Sequence, residues 1–400
     1  MKSILLVLVF LLSSPAFAQY QRLTINSELL GEDVTVQISL PETYHHSDNF
    51  LYPVLVVLDG STQFNHSAAS VNFYSTYAVI PEMIVVGVSL KNRLMFYTQS
   101  EPEAFAGRAG KADILTRFLQ DELLNLLNAQ YRVAPYYVIA GHSLSGLYTS
   151  HLAVKGHSKF NAVISISPSL WWDEAVIVAD YKKNHTTSIA KPMRWFISMA
   201  SEPNEMPEAF ERMLLALKHH SKSGLYHSYA KFPDETHDST PLIGVAKGLR
   251  AIFSGWNAVP GVDVMPMSAL TTFYENKTKE FGYKFPLSVH QFNVYGLKAA
   301  YEDKPAWGIE ILAKGTETFP DSEILWDSLA TAYSLNNNLP AALIASERAL
   351  ELAIANDSIF IGEIKAQNSG LNVRRQLSWP VRVNYDGRLG FRILSGSCLF

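Results

Sequence analysis

Short runs of apolar residues alternate with helical patterns over the first two thirds of the chain. Residues 34–40 alternate apolar and polar positions, as a half-exposed strand does. Leucine and phenylalanine recur at helical spacing from Leu115 to Leu127, and residues 206–218 and 242–253 show weaker helical patterns. Strands that alternate with helices predict an α/β domain with a mostly parallel sheet and helices on both faces. Five runs rich in valine and isoleucine have the length of strands buried on both faces: 53–58, 83–90, 137–140, 162–167 and 195–199.

The pattern changes after about residue 260, where helical periodicity replaces the strands. Residues 287–356 carry a repeat of 34 residues, in which Tyr295-Gly296 is matched by Leu329-Ala330. This spacing predicts two tetratricopeptide-like helix pairs over residues 285–358, with an ordinary helical hairpin as the alternative. Two units are fewer than a free-standing solenoid needs, so we expect them to pack on the first domain or on another chain.

The first 18 residues have the pattern of a secretory signal peptide. Lys2 gives a basic start, residues 4–12 are uninterrupted apolar residues, and A-F-A at 16–18 is a small-x-small cleavage pattern. The apolar run is too short for the alternative, an uncleaved membrane anchor. We therefore expect export, to the periplasm or out of the cell, and a mature chain that starts at Gln19 with no membrane span.

Composition and charge exclude several classes of protein. With 48% hydrophobic residues among 400, the chain can bury a large core, which argues against disorder and collagen-like structure. A net charge of −4 gives no basic footprint for nucleic acid. The single cysteine, Cys398, excludes zinc fingers, iron–sulfur clusters and internal disulfides. The basic tail over residues 372–400 is given no function.

Residues 137–148, YVIAGHSLSGLY, join a predicted buried strand to a predicted helix through a sharp turn. A serine on such a turn exposes its hydroxyl at the carboxyl edge of the sheet, next to free N–H groups at the helix N-terminus. This pattern indicates a nucleophile elbow around Ser143. The match is imperfect, because Ser145 stands where the pattern has glycine and Gly146 follows. A loop serine that caps a helix is the alternative.

A serine nucleophile needs a base, and the base needs an acid to orient it. His237 lies in a polar loop after the last predicted strand, where the order serine, acid, histidine places the base in α/β-hydrolases. His142 adjoins Ser143, but we expect its side chain to leave the turn in another direction. Glu202 and Glu205 both follow the strand over residues 195–199. Glu202 is the preferred acid because it is nearer the strand end, whereas Glu205 suits the start of a helix.

The oxyanion hole of such a site needs two N–H donors. The first is expected from Leu144, directly after the nucleophile. The second is expected from the loop after residues 53–58, where Gly60 and Ser61 both qualify and glycine lets the backbone approach a ligand closely. Asp59 is given only the role of bracing that loop.

Other catalytic chemistries find no support in the sequence. The chain has no H-E-x-x-H motif and no clustered histidines and aspartates, so no metal site is predicted. Residues 107–111, GRAGK, resemble a phosphate loop only superficially, since Phe105 stands in place of its first glycine and Ala112 in place of its hydroxyl residue. No cofactor is implied.

Four linked stretches resemble the "Putative esterase" family of α/β-hydrolases: LDGS at 58–61, YRVAPYYVIAGHSLSGLY at 131–148, FNAVISISPSLWWDE at 160–174 and KFPDETHDSTP at 231–241. That family includes ferric-siderophore (enterobactin-type) esterases, S-formylglutathione hydrolase, feruloyl esterases and mycolyltransferases, and a subset carries tetratricopeptide-like helices. The resemblance covers residues 23–256 and implies an α/β-hydrolase fold over residues 19–258. It also implies Ser143 as nucleophile, His237 as base and an acid near Glu202.

The loop that is expected to border the substrate pocket differs from that of the family. Relatives often carry an Arg-Asp-rich stretch after the fourth strand, where this chain has LKNRLMFYTQS at residues 90–100, and only Asn92 and Arg93 are similar. Substrate preference therefore does not transfer. Five apolar or aromatic residues are candidates for a pocket wall, with ordinary packing under a loop as an equal alternative: Leu94, Phe96, Tyr97, Trp171 and Trp172.

The leading hypothesis is an exported serine carboxylesterase that hydrolyses a small-molecule ester, from a siderophore or another carboxylic acid, through an acyl-enzyme on Ser143. An acyltransferase, in which an alcohol replaces water, is the second hypothesis. The third is a non-catalytic scaffold whose helical repeats bind a partner. The same repeats would suit a protein partner or self-association in either enzyme.

Overall fold

An eight-stranded sheet forms the centre of the first domain in the computed structural model, which describes residues 20–156, 158–189, 191–258 and 264–378. The strands are β1 (Gln21–Ser27), β2 (Glu32–Ser39), β3 (Tyr52–Leu58), β4 (Ile84–Ser89), β5 (Val133–His142), β6 (Ala162–Ile166), β7 (Met193–Ala200) and β8 (Leu225–Phe232). Their order in the sheet is β1-β2-β4-β3-β5-β6-β7-β8. Strands β3 to β8 are parallel, whereas β1 runs antiparallel to β2 and β2 runs antiparallel to β4. The predicted signal peptide and Cys398 lie outside the described residues.

The central strands are those that the apolar runs predict. All seven residues of β3 and all five of β6 are buried, as expected for strands covered by helices on both faces. Strands β1 and β8 were not predicted. Both lie at the edges of the sheet, and four consecutive residues of β8 are exposed, so neither strand forms a continuous apolar run.

Eight α-helices belong to the first domain among its described residues: α1 (Gly60–Thr76), α2 (Arg93–Tyr97), α3 (Ala112–Arg117), α4 (Leu124–Gln130), α5 (Leu144–Lys155), α6 (Trp172–Asn184), α7 (Met206–His219) and α8 (Thr240–Ile252). A π-helical segment, Phe118–Leu123, joins α3 to α4, so the helix predicted around residues 115–127 is continuous.

The helices cover both faces of the sheet, and β6 shows this directly. Gly248 in α8 packs on the side chain of Ile164, whereas Thr149 in α5 hydrogen bonds to the Ser165 hydroxyl at 2.8 Å. Because successive side chains of a strand point to opposite faces, α5 and α8 lie on opposite sides of the sheet. The arrangement is an α/β-hydrolase fold.

A second group of helices follows: α9 (Met267–Phe281), α10 (Val289–Tyr301), α11 (Pro305–Thr318), α12 (Glu323–Leu335), α13 (Leu339–Ala355) and α14 (Ile361–Ser378). Helices α10 and α12 begin 34 residues apart, as do α11 and α13. The tetratricopeptide assignment itself stays a prediction. Helices α9 and α14 were not predicted, and residues 372–378, expected to start the basic tail, belong to α14. Across the described ranges, no helix is both long and apolar enough to cross a membrane.

This helical region packs on the amino edge of the parallel strands. Tyr136, near the start of β5, contacts Phe285 with ring centroids 5.0 Å apart. The Arg194 guanidinium, near the start of β7, lies 4.2 Å from the centroid of the Phe281 ring. Tyr136, Phe281 and Phe285 belong to a buried cluster that extends from the sheet into the helices. The helical region therefore lies away from the edge at which the parallel strands end.

A buried polar cluster lies at the same interface. Glu82, two residues before β4, accepts a hydrogen bond from the Thr43 hydroxyl at 2.9 Å, and its Oε1 lies 3.2 Å from His290 Nε2 on α10. Burial raises the pKa of Glu82 to about 8 and lowers the pKa of His290 to about 4. At neutral pH both side chains are therefore mainly uncharged, and the carboxyl proton can be shared with His290.

Glu82 should make stability fall as the pH rises. Its pKa in the folded protein, about 8, exceeds the ordinary value of 4.5. The folded state thus holds a proton that the unfolded chain releases between these values, and the free energy of unfolding decreases across that window. Glu82→Gln removes this titration and keeps a neutral hydrogen-bonding side chain. Between pH 5.5 and 8.5, wild type should lose about 5 °C in Tm relative to the variant.

The matched control is Glu347→Gln, the same substitution at an exposed position on α13. Its melting curve should follow that of wild type at every pH. Differential scanning fluorimetry across the pH series makes the comparison. If the Tm values of Glu82→Gln and wild type change with pH by the same amount, Glu82 does not retain its proton in the folded state.

Candidate active site

The candidate site residues follow four parallel strands at their carboxyl ends. Gly60 comes after β3, Ser143 after β5, Glu202 after β7 and His237 after β8. The carboxyl ends of parallel strands meet at one edge of a sheet, and in open α/β sheets ligands bind outside that edge. The topology therefore directs residues far apart in the sequence toward one site.

Ser143 occupies a sharp turn between β5 and α5. Its φ of 60° and ψ of −116° lie in a strained region for a residue other than glycine. A Cβ on Gly141 would lie 2.3 Å from the Ser145 carbonyl oxygen, so the turn requires glycine there. A Cβ on Gly146 would lie 2.9 Å from the Ile166 carbonyl oxygen, which shows how closely α5 approaches β6. This turn has the backbone geometry expected of a nucleophile elbow.

Ser145, which replaces the usual glycine, has hydrogen-bonding partners of its own. Its hydroxyl is buried, accepts from the His142 N–H at 2.9 Å and lies 2.7 Å from Asp59 Oδ2. The hydroxyl has one proton, and the charged carboxylate is a stronger acceptor than the His142 carbonyl at 2.9 Å. The departure from the motif thus adds a bond between the elbow and the β3–α1 loop.

Glu202 and His237 form a hydrogen-bonded pair. Glu202 Oε2 lies 2.9 Å from His237 Nδ1, with the Glu202 side chain fully buried and that of His237 30% exposed. A carboxylate at Nδ1 holds the proton on that nitrogen and leaves Nε2 as an acceptor. Glu205 is exposed at the start of α7. Of the two candidate acids, the structure brings Glu202 to the histidine.

His142 packs against the candidate base, which we did not expect from the sequence. The two imidazole rings have centroids 4.5 Å apart. Burial, and secondarily the nearby His237, lower the pKa of His142 to about 4, so its ring is neutral at pH 7. A neutral neighbour does not repel the positive charge that His237 would acquire as a base.

The candidate oxyanion donors are the first residues of two helices. Leu144 begins α5 and Gly60 begins α1, and the N–H groups of a first helical turn have no partner within their helix. The Ser61 N–H already donates to the Ser89 hydroxyl at 2.9 Å. Of the two donors predicted in this loop, Gly60 is therefore the stronger candidate. A Cβ there would lie 2.7 Å from the Gly87 carbonyl carbon, so the loop needs glycine to pack against β4.

The four aromatic residues predicted for the substrate pocket differ in exposure. Phe96, Tyr97 and Trp172 are buried, whereas Trp171 is 38% exposed. The Tyr97 hydroxyl donates to Asp59 Oδ1 at 3.2 Å, and Trp172 Nε1 donates to the Ser100 hydroxyl at 3.2 Å. The three buried rings agree with the alternative interpretation, which is ordinary packing under a loop. Trp171 is the member of the set that a ligand can reach.

Within the described ranges, no three or more histidine, cysteine, aspartate or glutamate side chains are grouped so that they could hold a metal ion. The chemistry available at this edge is that of a serine hydroxyl, a histidine paired with a buried carboxylate, and backbone N–H donors. These are the groups that acyl transfer uses.

Comparison with known sequences also indicates an esterase. The model of the "Putative esterase" family matches residues 27–195. The ferri-bacillibactin esterase BesA of Bacillus subtilis is 25% identical over 232 residues, which cover 50% of this chain and 78% of BesA. A siderophore triacetylfusarinine C esterase of Aspergillus fumigatus is 23% identical over 274 residues, 56% of this chain and 90% of that protein.

Solved structures share the fold. An IroE-like serine hydrolase from Shewanella oneidensis superposes with a TM-score of 0.68 at 24% identity, over 75% of this chain and 99% of that one. An uncharacterised protein from Capnocytophaga ochracea superposes with a TM-score of 0.57 at 16% identity, over 89% of this chain and 100% of its own. Sequence and fold together support an esterase of the α/β-hydrolase type.

Proposed function

We propose that the protein is a serine carboxylesterase that forms an acyl-enzyme on Ser143. The observation that carries the proposal is the buried Glu202 carboxylate, 2.9 Å from Nδ1 of His237, at the sheet edge where the strained Ser143 turn also lies. A pair of this kind gives a serine hydroxyl its general base.

In the proposed reaction, His237 Nε2 takes the proton of the Ser143 hydroxyl as its oxygen attacks the ester carbonyl. The N–H groups of Leu144 and Gly60 stabilise the oxyanion of the tetrahedral intermediate. His237 then gives its proton to the departing alcohol, which leaves the acyl group on Ser143. Water, deprotonated by the same histidine, releases the carboxylic acid and restores the serine.

The leading substrate class is a carboxylic ester of a siderophore. Support comes from the names of two relatives, the ferri-bacillibactin and triacetylfusarinine C esterases. The changed loop at residues 90–100 leaves other carboxylic esters as the alternative. Export remains part of the proposal and is supported by the signal-peptide pattern in the first 18 residues. The helical repeats are proposed as tetratricopeptide-like on the basis of their 34-residue spacing.

A fluorophosphonate probe and an ester panel test this function. The folded protein, expressed with its leader, should gain one probe mass on Ser143, and its intact mass should correspond to a chain that begins at Gln19. The panel should include p-nitrophenyl butyrate, methyl ferulate and a ferric tricatecholate trilactone. Heat-denatured protein, which should stay unlabelled, is the control.

Two results would count against this function. Absence of labelling on folded protein, together with no hydrolysis of any ester, would leave the scaffold hypothesis. Formation of a new ester when alcohols are added, in place of the free acid, would instead indicate an acyltransferase.

A further inference from the structure

The Asp59 carboxylate lies beside the candidate oxyanion loop and contacts three side chains. Arg93 donates from Nε to Oδ1 at 2.7 Å and from its terminal nitrogen to Oδ2 at 2.9 Å. The Tyr97 hydroxyl lies 3.2 Å from Oδ1, and the Ser145 hydroxyl lies 2.7 Å from Oδ2. The Asp59 side chain is 12% exposed and that of Arg93 46%. Both carboxylate oxygens are therefore occupied by donors.

These contacts join three separate parts of the fold. Arg93 and Tyr97 belong to α2, Ser145 to the first turn of α5, and Asp59 to the turn between β3 and α1. Asp59 has a φ of 55° and a ψ of 43°, a left-handed conformation that residues other than glycine adopt at a cost. Its side chain connects this turn to α2 and α5.

The Asp59–Ser145 hydrogen bond connects the neighbours of both candidate oxyanion donors. Asp59 precedes Gly60, and Ser145 follows Leu144. The bond thus couples two N–H groups that sit on different helices. An oxyanion hole works through donors fixed before the reaction, and a shift of about 1 Å in such a site can cost about 100-fold in rate.

We propose that Asp59 is a positioning residue that fixes the spacing of the Gly60 and Leu144 donors through its bond to Ser145. This inference rests on the proposed esterase function. Arg93 contributes by neutralising the charge of Asp59, because an unpaired carboxylate close to the site would repel the developing oxyanion. Its two-bond ion pair with Asp59 offsets that negative charge. The serine at position 145 is needed because glycine would leave Asp59 Oδ2 without this donor.

Two substitutions test the role of Asp59. Ser145→Gly removes the hydroxyl and restores the usual motif, and Asp59→Asn removes the charge that holds Arg93 and Ser145. Each should lower kcat for p-nitrophenyl butyrate by about 10- to 100-fold and change KM by less than about twofold. The double variant should lose little more than either single variant, because both disrupt the same bond.

A boronic acid inhibitor separates positioning from a general structural role. Its tetrahedral adduct on Ser143 places an oxygen in the oxyanion hole, so its Ki should rise by the same factor as kcat falls. Asp113→Asn is the matched control, since it breaks an exposed ion pair with Lys155, 2.9 Å long, outside the site. That variant should keep the wild-type kcat and Ki.

The outcomes distinguish this inference from the proposed function. Wild type that neither hydrolyses esters nor reacts with the fluorophosphonate would remove the esterase function itself. Active wild type, with Ser145→Gly folded and within twofold of its kcat and Ki, would overturn the positioning role. If Asp59→Asn does not fold, the result for Ser145→Gly decides, because glycine is the residue that the usual motif has in this turn.

Discussion

Replacement of Ser143 by alanine is expected to lower kcat for p-nitrophenyl butyrate by about 10⁴-fold or more. The variant lacks the oxygen that forms the acyl-enzyme, and the turn has no second hydroxyl at that position. Substrate binding does not depend on the nucleophile, so the Kd of a non-hydrolysable ester analogue should stay within about twofold of wild type. Stopped-assay kinetics and calorimetric titration measure the two quantities.

The fold of this variant should be intact. Alanine adopts the backbone conformation of Ser143 at about the same cost as serine, so Tm should shift by no more than about 2 °C. Ser254→Ala, at an exposed position after α8, is the matched control and should keep full activity. Hydrolysis by Ser143→Ala at more than a tenth of the wild-type rate would exclude Ser143 as the nucleophile.

The second large effect is expected at Glu202, whose replacement by glutamine should lower kcat by about 10³- to 10⁴-fold. A glutamine can present its amide N–H to His237 and stabilise the tautomer with the proton on Nε2, which cannot act as a base. The amide also lacks the charge that stabilises the imidazolium. Because both side chains have nearly the same shape, the fold should be unchanged.

Glu205→Gln makes the same chemical change three residues later, on an exposed side chain. Its kcat should stay within about twofold of wild type. Steady-state kinetics on the two variants, side by side, decide between the two acids that the sequence left open. A large loss in Glu205→Gln and a small one in Glu202→Gln would reverse the assignment.

The central sheet could be predicted because its strands are buried on both faces and therefore read as continuous apolar runs. The same reasoning could not find β8, an edge strand whose exposed residues include Tyr226 and Tyr229. Periodicity also could not place the helical region at the amino edge of the sheet. It indicates which face of a helix is apolar and does not identify what that face covers.

The candidate nucleophile could be proposed because the sharp turn of a nucleophile elbow needs small residues at fixed positions around the serine. The candidate base and acid could be proposed from their order along the chain. The Asp59–Ser145 bond could not, since the two residues are 86 positions apart and no local pattern records their contact. The exposure of the aromatic residues could not be predicted from the sequence either. Tyr97 and Trp171 both lie near loops, and only the tertiary packing separates the buried ring from the reachable one.

The helical region and the candidate site occupy opposite ends of the same strands, so sequence changes at one end need not affect the other. Loops at the carboxyl edge can lengthen or exchange residues to accept another ester without disturbing the aromatic contacts around Tyr136 and Phe285. The outer surface of the helices can likewise acquire new partners without altering the reacting groups. Substrate choice and association are thus free to evolve independently within one chain.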